Sequence, residues 1–132
     1  HMVLPEIISK EPLGPSVRHG DREWADIVRW ALNAMMIAEE QGITSDNVDE
    51  MKNSKDPETL RLLGVSKVGD TGAGYGAWLG LDDDWAYNII KQVGNYSERF
   101  ERHIGVNTPI NIARGLNALY KDGGILYAPP FR

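Results

Sequence analysis

Cysteine is absent from this 132-residue chain. That absence removes disulfides, thiolate nucleophiles and thiolate metal sites together, yet it leaves the compartment open, because cytosolic and Gram-negative periplasmic proteins can both lack cysteine. Histidine is nearly as scarce. His1, His19 and His103 fall in separate elements without H-E-x-x-H spacing, so the sequence indicates no metal site and implies no cofactor. Basic residues number 14 against 19 acidic ones, and no stripe of Lys and Arg interleaves with aromatics, so nucleic acid is not an expected partner. No apolar run approaches the roughly 20 residues needed to cross a bilayer. No signal peptide opens the chain. His1-Met2 instead looks like a residue left by tag removal ahead of a start codon, so 1–2 are read as vector-derived, and the missing signal says nothing of a natural precursor.

What remains is ordinary for a folded protein. An apolar content of 42% with 25% charged residues is too apolar for general disorder and suits one compact domain over 3–132 with a modest core. Glycine crowds Val68 to Gly80, where Gly72-Ala73-Gly74-Tyr75-Gly76 begins like a phosphate cradle. The pattern then fails. Ala77 stands where the third glycine of G-x-G-x-x-G belongs, no buried strand precedes it, and no Lys-Ser or Lys-Thr pair follows. The stretch is read as a flexible connecting loop.

The remainder reads as helix after helix. Pro5, Pro12 and Pro15 keep residues 3–19 out of a helix and allow at most a short edge strand at Ser16-Val17-Arg18. Trp24, Ile27, Val28, Ala31, Leu32, Met35 and Ala38 recur at three- and four-residue spacing and predict a helix over 21–41, capped by Asp21 and stopped by Gly42. A short helix starts at Thr44 or Ser45 and runs through Val48 and Met51. Asp56-Pro57 opens another, with Leu60 and Leu63 inward and Gly64 at its end. Asp82, Asp83 and Asp84 suit the first turn of a second long helix. The period of Trp85, Ile89, Ile90, Val93, Tyr96, Phe100 and Ile104 carries that helix across Gly94 to about residue 104. Thr108-Pro109 opens the last one, with Ile110, Ala113, Leu116 and Leu119 or Tyr120 inward. Ile125-Leu126-Tyr127 is a small terminal strand or an extended tail.

Chemistry-bearing groups have bland readings here. His103 sits at a helix C-terminus, where an imidazole interacts favourably with the dipole. Adjacent aspartates at 82–84 face different ways on a helix and lack a calcium-loop pattern, so they are caps. Ser9, Ser16, Ser45, Ser54, Ser66 and Ser97 stand in no nucleophile elbow. Nothing assembles a nucleophile, base and oxyanion site, and the chain reads as a non-enzyme. Arg18, Arg99, Arg114 and Arg132 can each hold a carboxylate with a two-pronged guanidinium, though an ion pair within the chain is the expected job. Trp24 and Trp85 lie on apolar faces and read as core. Trp30 and Trp78 lie off those seams, and exposure there would mark an interface.

Two runs carry a resemblance: DWAYNIIKQVGNY from Asp84 to Tyr96, and the closing GLNALYKDGGILYAPPFR. Both closely resemble the C-terminal segment of periplasmic solute-binding proteins of general (polar) amino-acid ABC transporters, members of the type II periplasmic binding proteins. The opening ISKEPLGPSVRHGDREWADIVRWAL, with Gly20, Asp21 and Trp24, resembles the point where the chain of that family returns from the second lobe to the first. Asn47-Val48-Asp49-Glu50-Met51, Leu62-Leu63-Gly64 and Arg114-Gly115-Leu116-Asn117-Ala118-Leu119 follow in the family's order.

The resemblance implies a mainly α, multi-helical fragment of the first α/β lobe, with four to five helices and one or two short strands. It casts 3–132 as a single C-terminal lobe fragment and 3–12 as the returning hinge, with Ile8, Ser9, Lys10 and Glu11 as hinge residues. It further implies a periplasmic protein that captures L-amino acids and delivers them to a membrane permease. In that family the ligand lies between two lobes, gripped by residues from parts this chain lacks, so no ligand-contact residue carries over. Weak or no affinity of this chain alone for amino acids is therefore expected. Helices cut from their sheet must repack, pair as a homodimer, or associate with the missing part. The alternative reading is a stand-alone helical protein-interaction module.

Overall fold

The computed structural model describes residues 13–65 and 73–130. Five α-helices form its body: α1 Arg22–Glu40, α2 Val48–Met51, α3 Pro57–Leu62, α4 Trp85–Val93 and α5 Tyr96–His103. Three short 3₁₀ helices, Ala73–Leu79, Gly115–Asn117 and Tyr120–Asp122, complete the regular structure. Among the described residues there is no strand, and the expected one or two strands reduce to a single parallel bridge between Leu119 and Leu126. The fold is mainly α. The residues expected to form the hinge, Ile8, Ser9, Lys10 and Glu11, and also Arg132, lie outside the described residues.

Local chemistry sets the helix ends. The Asp21 carboxylate accepts from the Trp24 N–H at 3.1 Å and starts α1. Its C-terminus closes as a Schellman motif, with Gly42 N–H donating to Glu39 O at 3.1 Å and Ile43 N–H to Ala38 O at 2.7 Å. Ile43, fully buried, plugs the end of the helix into the core. α3 repeats the device: the Asp56 carboxylate accepts from the N–H groups of Glu58 and Thr59, Pro57 occupies the first position, and Val65 N–H donates to Leu60 O at 2.9 Å. The Thr59 hydroxyl, with those backbone donors behind it, holds the Asp56 carboxyl below its ordinary value.

The core lies where α1 packs on α4, with α2, α3 and the turns beside them closing it. It comprises Ala34, Ile37, Ala38, Ile43, Val48, Leu62, Leu63, Trp85, Ala86 and Ile90. Each large side chain buried there contributes about 1.5–3 kcal/mol through its removal from water. This differs from the face predicted for α1. Ala38 is buried as expected, but Trp24 is 52% exposed and Ile27, Val28, Ala31, Leu32 and Met35 are only half-buried. The helix has apolar residues on more than one side, and the chain covers the side bearing Ala34 and Ile37. Trp85 is core as read from its spacing, and Trp30 packs against that core from off the predicted seam.

Two further expectations give way. The single helix across Gly94 is two helices, because Gly94 adopts φ 84° with ψ 178°, a conformation that only glycine enters without strain. Asn95 then caps α5 in a reciprocal box: its side chain accepts from Glu98 N–H at 2.9 Å, and Glu98 accepts from Asn95 N–H at 2.8 Å.

The helix after Thr108-Pro109 does not form. The Thr108 hydroxyl satisfies the Ile110 N–H at 3.2 Å inside a turn, Asn111 turns to φ 53°, and Ile110 and Leu116 are about half-exposed. A short helix without a buried face has little to hold it. Of the inward residues predicted there, Leu119 alone is fully buried, while Tyr120 points out. At Gly124 the chain crosses its own earlier turn so closely that a Cβ would overlap the Ala118 carbonyl.

Candidate functional site

Polar side chains gather at three places, and each ties together segments distant in sequence. The first is Arg114. Its guanidinium meets Glu39 of α1 at 3.0 Å, with both side chains nearly buried, and its Nη2 also donates to Asn117 O at 2.7 Å. The Tyr96 and Phe100 rings lie 5.4 and 5.2 Å from it, within reach of a cation–π contact. Arg114 is thus half of an intrachain ion pair, the role expected for it, and it fastens the C-terminal run to α1 and α5.

The second is Glu98, whose carboxylate accepts from the Ser45 N–H and hydroxyl as well as capping α5. Beside it the buried Asn95 amide donates to Ile43 O at 2.8 Å. Helix α5 is therefore pinned to the turn after α1. The third cluster is exposed. Asp49 of α2 accepts from Tyr87 Oη at 2.7 Å and from Lys91 Nζ at 2.8 Å, both on α4, and Lys52 Nζ sits 3.4 Å over the Tyr87 ring. The Lys91 hydrogen bond, then that of Tyr87, holds the Asp49 carboxyl below its ordinary value. In return the Asp49 carboxylate raises both partners.

The remaining candidates stay apart. Arg18 and His19 line an open hollow with Gly20, Asp21, Arg22 and Glu23 at the start of α1. Arg99 is exposed on α5, and exposed His103 ends that helix as expected. The aspartates divide their labour differently from the prediction. Asp84 occupies the cap position of α4 without a side-chain cap bond, while Asp83 accepts from the Gly76 N–H at 3.1 Å and closes the 3₁₀ segment. Trp78 in that segment is 87% exposed. Among the described residues no three His, Asp or Glu side chains come together as a metal site, and no helix is long and apolar enough to cross a membrane. Sequence reasoning missed Glu40 altogether. Its carboxyl lies beside the tail residue Ala128, and one of its oxygens is buried without a hydrogen-bond partner. No spacing rule could have found it, because the two residues are far apart in sequence.

These clusters fasten the fold, and what they belong to comes from comparison with known proteins. No protein-family model matches the chain. The General L-amino acid-binding periplasmic protein AapJ of Rhizobium johnstonii is 60% identical over 132 residues, covering 100% of this chain and 38% of that protein. The glutamate/glutamine/aspartate/asparagine-binding protein BztA of Rhodobacter capsulatus is 54% identical, over 99% of this chain and 37% of its own length. A solved ABC transporter periplasmic binding protein from Brucella ovis, with glutathione bound, superposes at a TM-score of 0.89 with 57% identity, over 98% of this chain and 39% of that one.

The chain is homologous to part of a periplasmic amino-acid-binding protein of an ABC transporter. It spans less than two fifths of the length of the curated relatives it matches. Arg114, Glu98 and Asp49 are fasteners within the part of the family that the chain matches.

Proposed function

We propose that this chain is scaffold for the substrate-binding component of an amino-acid ABC transporter, acting in the periplasm and supplying part of the first of two α/β lobes. The observation that carries the reading is the 60% identity to a general amino-acid-binding protein along the whole of this chain. Capture then belongs to the complete protein, which hands an L-amino acid to its permease, and Ile8 to Glu11 serve as part of the hinge between lobes. Relatives that are amino-acid-binding proteins, one of them a putative amino-acid ABC transporter-binding protein of Escherichia coli, support a non-enzymatic role.

The ligands these relatives bind narrow the class to L-amino acids and molecules that present the same head group. Glutathione, in the Brucella ovis structure, carries a free glutamyl α-amino and α-carboxylate pair. The exposed Val106, Ile110, Ile112, Leu116 and Ile125 fit this reading, since an apolar face of that extent calls for cover. Titration calorimetry tests it with two samples and one ligand panel, the twenty L-amino acids plus glutathione. The chain alone is expected to give no saturable heat. The same chain substituted for the matching segment of the Rhizobium johnstonii protein is expected to bind. Micromolar affinity in the isolated chain, or a folded chimera that binds nothing on the panel, would overturn the proposal.

A further inference from the structure

We propose that residues 124–130 form a strap over the C-terminal end of α1 whose closure is set by the proton on Glu40: acid closes it and neutral pH loosens it. The start of the strap is well fastened. Gly124, Ile125 and Leu126 donate backbone hydrogen bonds to Leu119, Leu116 and Ala118 at 3.0–3.1 Å. Past Leu126 the means of attachment thin out. Pro129 and Pro130 have no N–H to give. Ala128 packs its methyl against the core and donates its N–H to the Glu40 carboxylate. With Ile37, Gln41, Glu58 and Arg61 the strap walls a cavity of about 240 Å³.

Closure has a cost that depends on charge. The strap leaves Glu40 Oε1 buried without a hydrogen-bond partner, a poor setting for an anion and a tolerable one for a neutral carboxyl. Burial accordingly pushes the Glu40 carboxyl above its ordinary value, with Glu39 adding in the same direction. The Ala128 N–H and the Lys121 ammonium oppose it. Other groups facing Glu40 are Glu58 and Arg61 from α3, and Tyr120 and Tyr127 from the C-terminal run. Lys121 is anchored 2.8 Å from the Glu40 backbone oxygen, and Glu39 is held by Arg114. Because the closed state binds the proton more tightly than the open one, closure is favoured below the open-state value and is lost as pH rises through the closed-state value.

Hydrogen exchange of the Ala128 amide, read by NMR on the full chain and corrected for intrinsic rates, tests the strap independently of any transport role. Between about pH 4 and about pH 7 its protection is expected to fall several-fold while the Ile90 amide holds steady. Glu40→Gln should abolish that slope and leave Ala128 better protected than wild type at neutral pH. Lys121→Gln, which removes an opposing charge, should move the transition to higher pH and serves as the readout if the first variant fails to fold. Protection that is flat with pH in the wild type, or an unchanged slope in Glu40→Gln, would overturn the proposal. So would a transition unmoved by Lys121→Gln.

Discussion

The helical body and the C-terminal run from Gly105 to Pro130 are built by different means. The body buries ten residues in one contiguous core. The run buries a single large side chain, Leu119, and turns Val106, Ile110, Ile112, Leu116, Ile125 and two tyrosines toward solvent. Apolar burial holds the first; polar fasteners and one plug hold the second. An element kept in place by a few directed bonds is free to present its apolar residues outward, where further chain can pack on them. The difference also predicts unequal stability, since regions with few buried contacts open below the global unfolding free energy.

The strongest test of that inequality is Ile90→Ala, at a fully buried position in the middle of α4. It is expected to cost about 2–5 kcal/mol in urea melts and to lower body and run together, because the run has no core of its own. Next comes Leu119→Ala, which removes the plug. Exchange protection at Ile125 and Leu126 should collapse while the Ile90 amide stays protected; equal loss at both would mean that the two regions form one cooperative unit. Arg114→Ala leaves Glu39 without its partner in a mostly buried place. Because both side chains keep some solvent contact, the expected loss is about 1–2 kcal/mol, smaller than for a fully buried pair.

The smallest effect concerns the exposed Asp49 fastener between α2 and α4. Lys91 and Tyr87 hold its carboxyl below the ordinary value. Its stabilisation is therefore present above the unfolded-state value and is lost as pH falls through the folded one. Asp49→Asn should flatten that part of the stability–pH curve and leave the run's exchange pattern unchanged.

The body was more legible than the run, and for a local reason. Asp21 with Gly42, and Asp56-Pro57 with Gly64, are cap-and-stop signals a few residues from the structure they govern, and each sits where its spacing placed it. The break at Gly94 was hidden because Ile90 and Phe100 keep the apolar spacing on both sides of it. The Asn95 and Glu98 pair was the visible clue, a capping box inside what looked like one helix. Thr108-Pro109 misled in the opposite direction, offering a start signal where, of the residues expected to face inward, only Leu119 is buried. The pairs Glu39–Arg114, Asp49–Lys91 and Ser45–Glu98 join residues 75, 42 and 53 positions apart, and no pattern rule reads across such gaps. Arg114 was still identifiable as a carboxylate holder. Its partner was not.

The neighbouring glycines at 123 and 124 look interchangeable on paper, and a saturation library would separate them at once. Gly123 adopts φ 85° in open space, so Asn or Asp should be recovered there at modest cost. Gly124 has the Ala118 carbonyl where a side chain would begin. Selection for a properly seated C-terminus would return one allele at that codon. A drift experiment would find the run tolerant along most of its length and fixed at the point where the chain crosses itself.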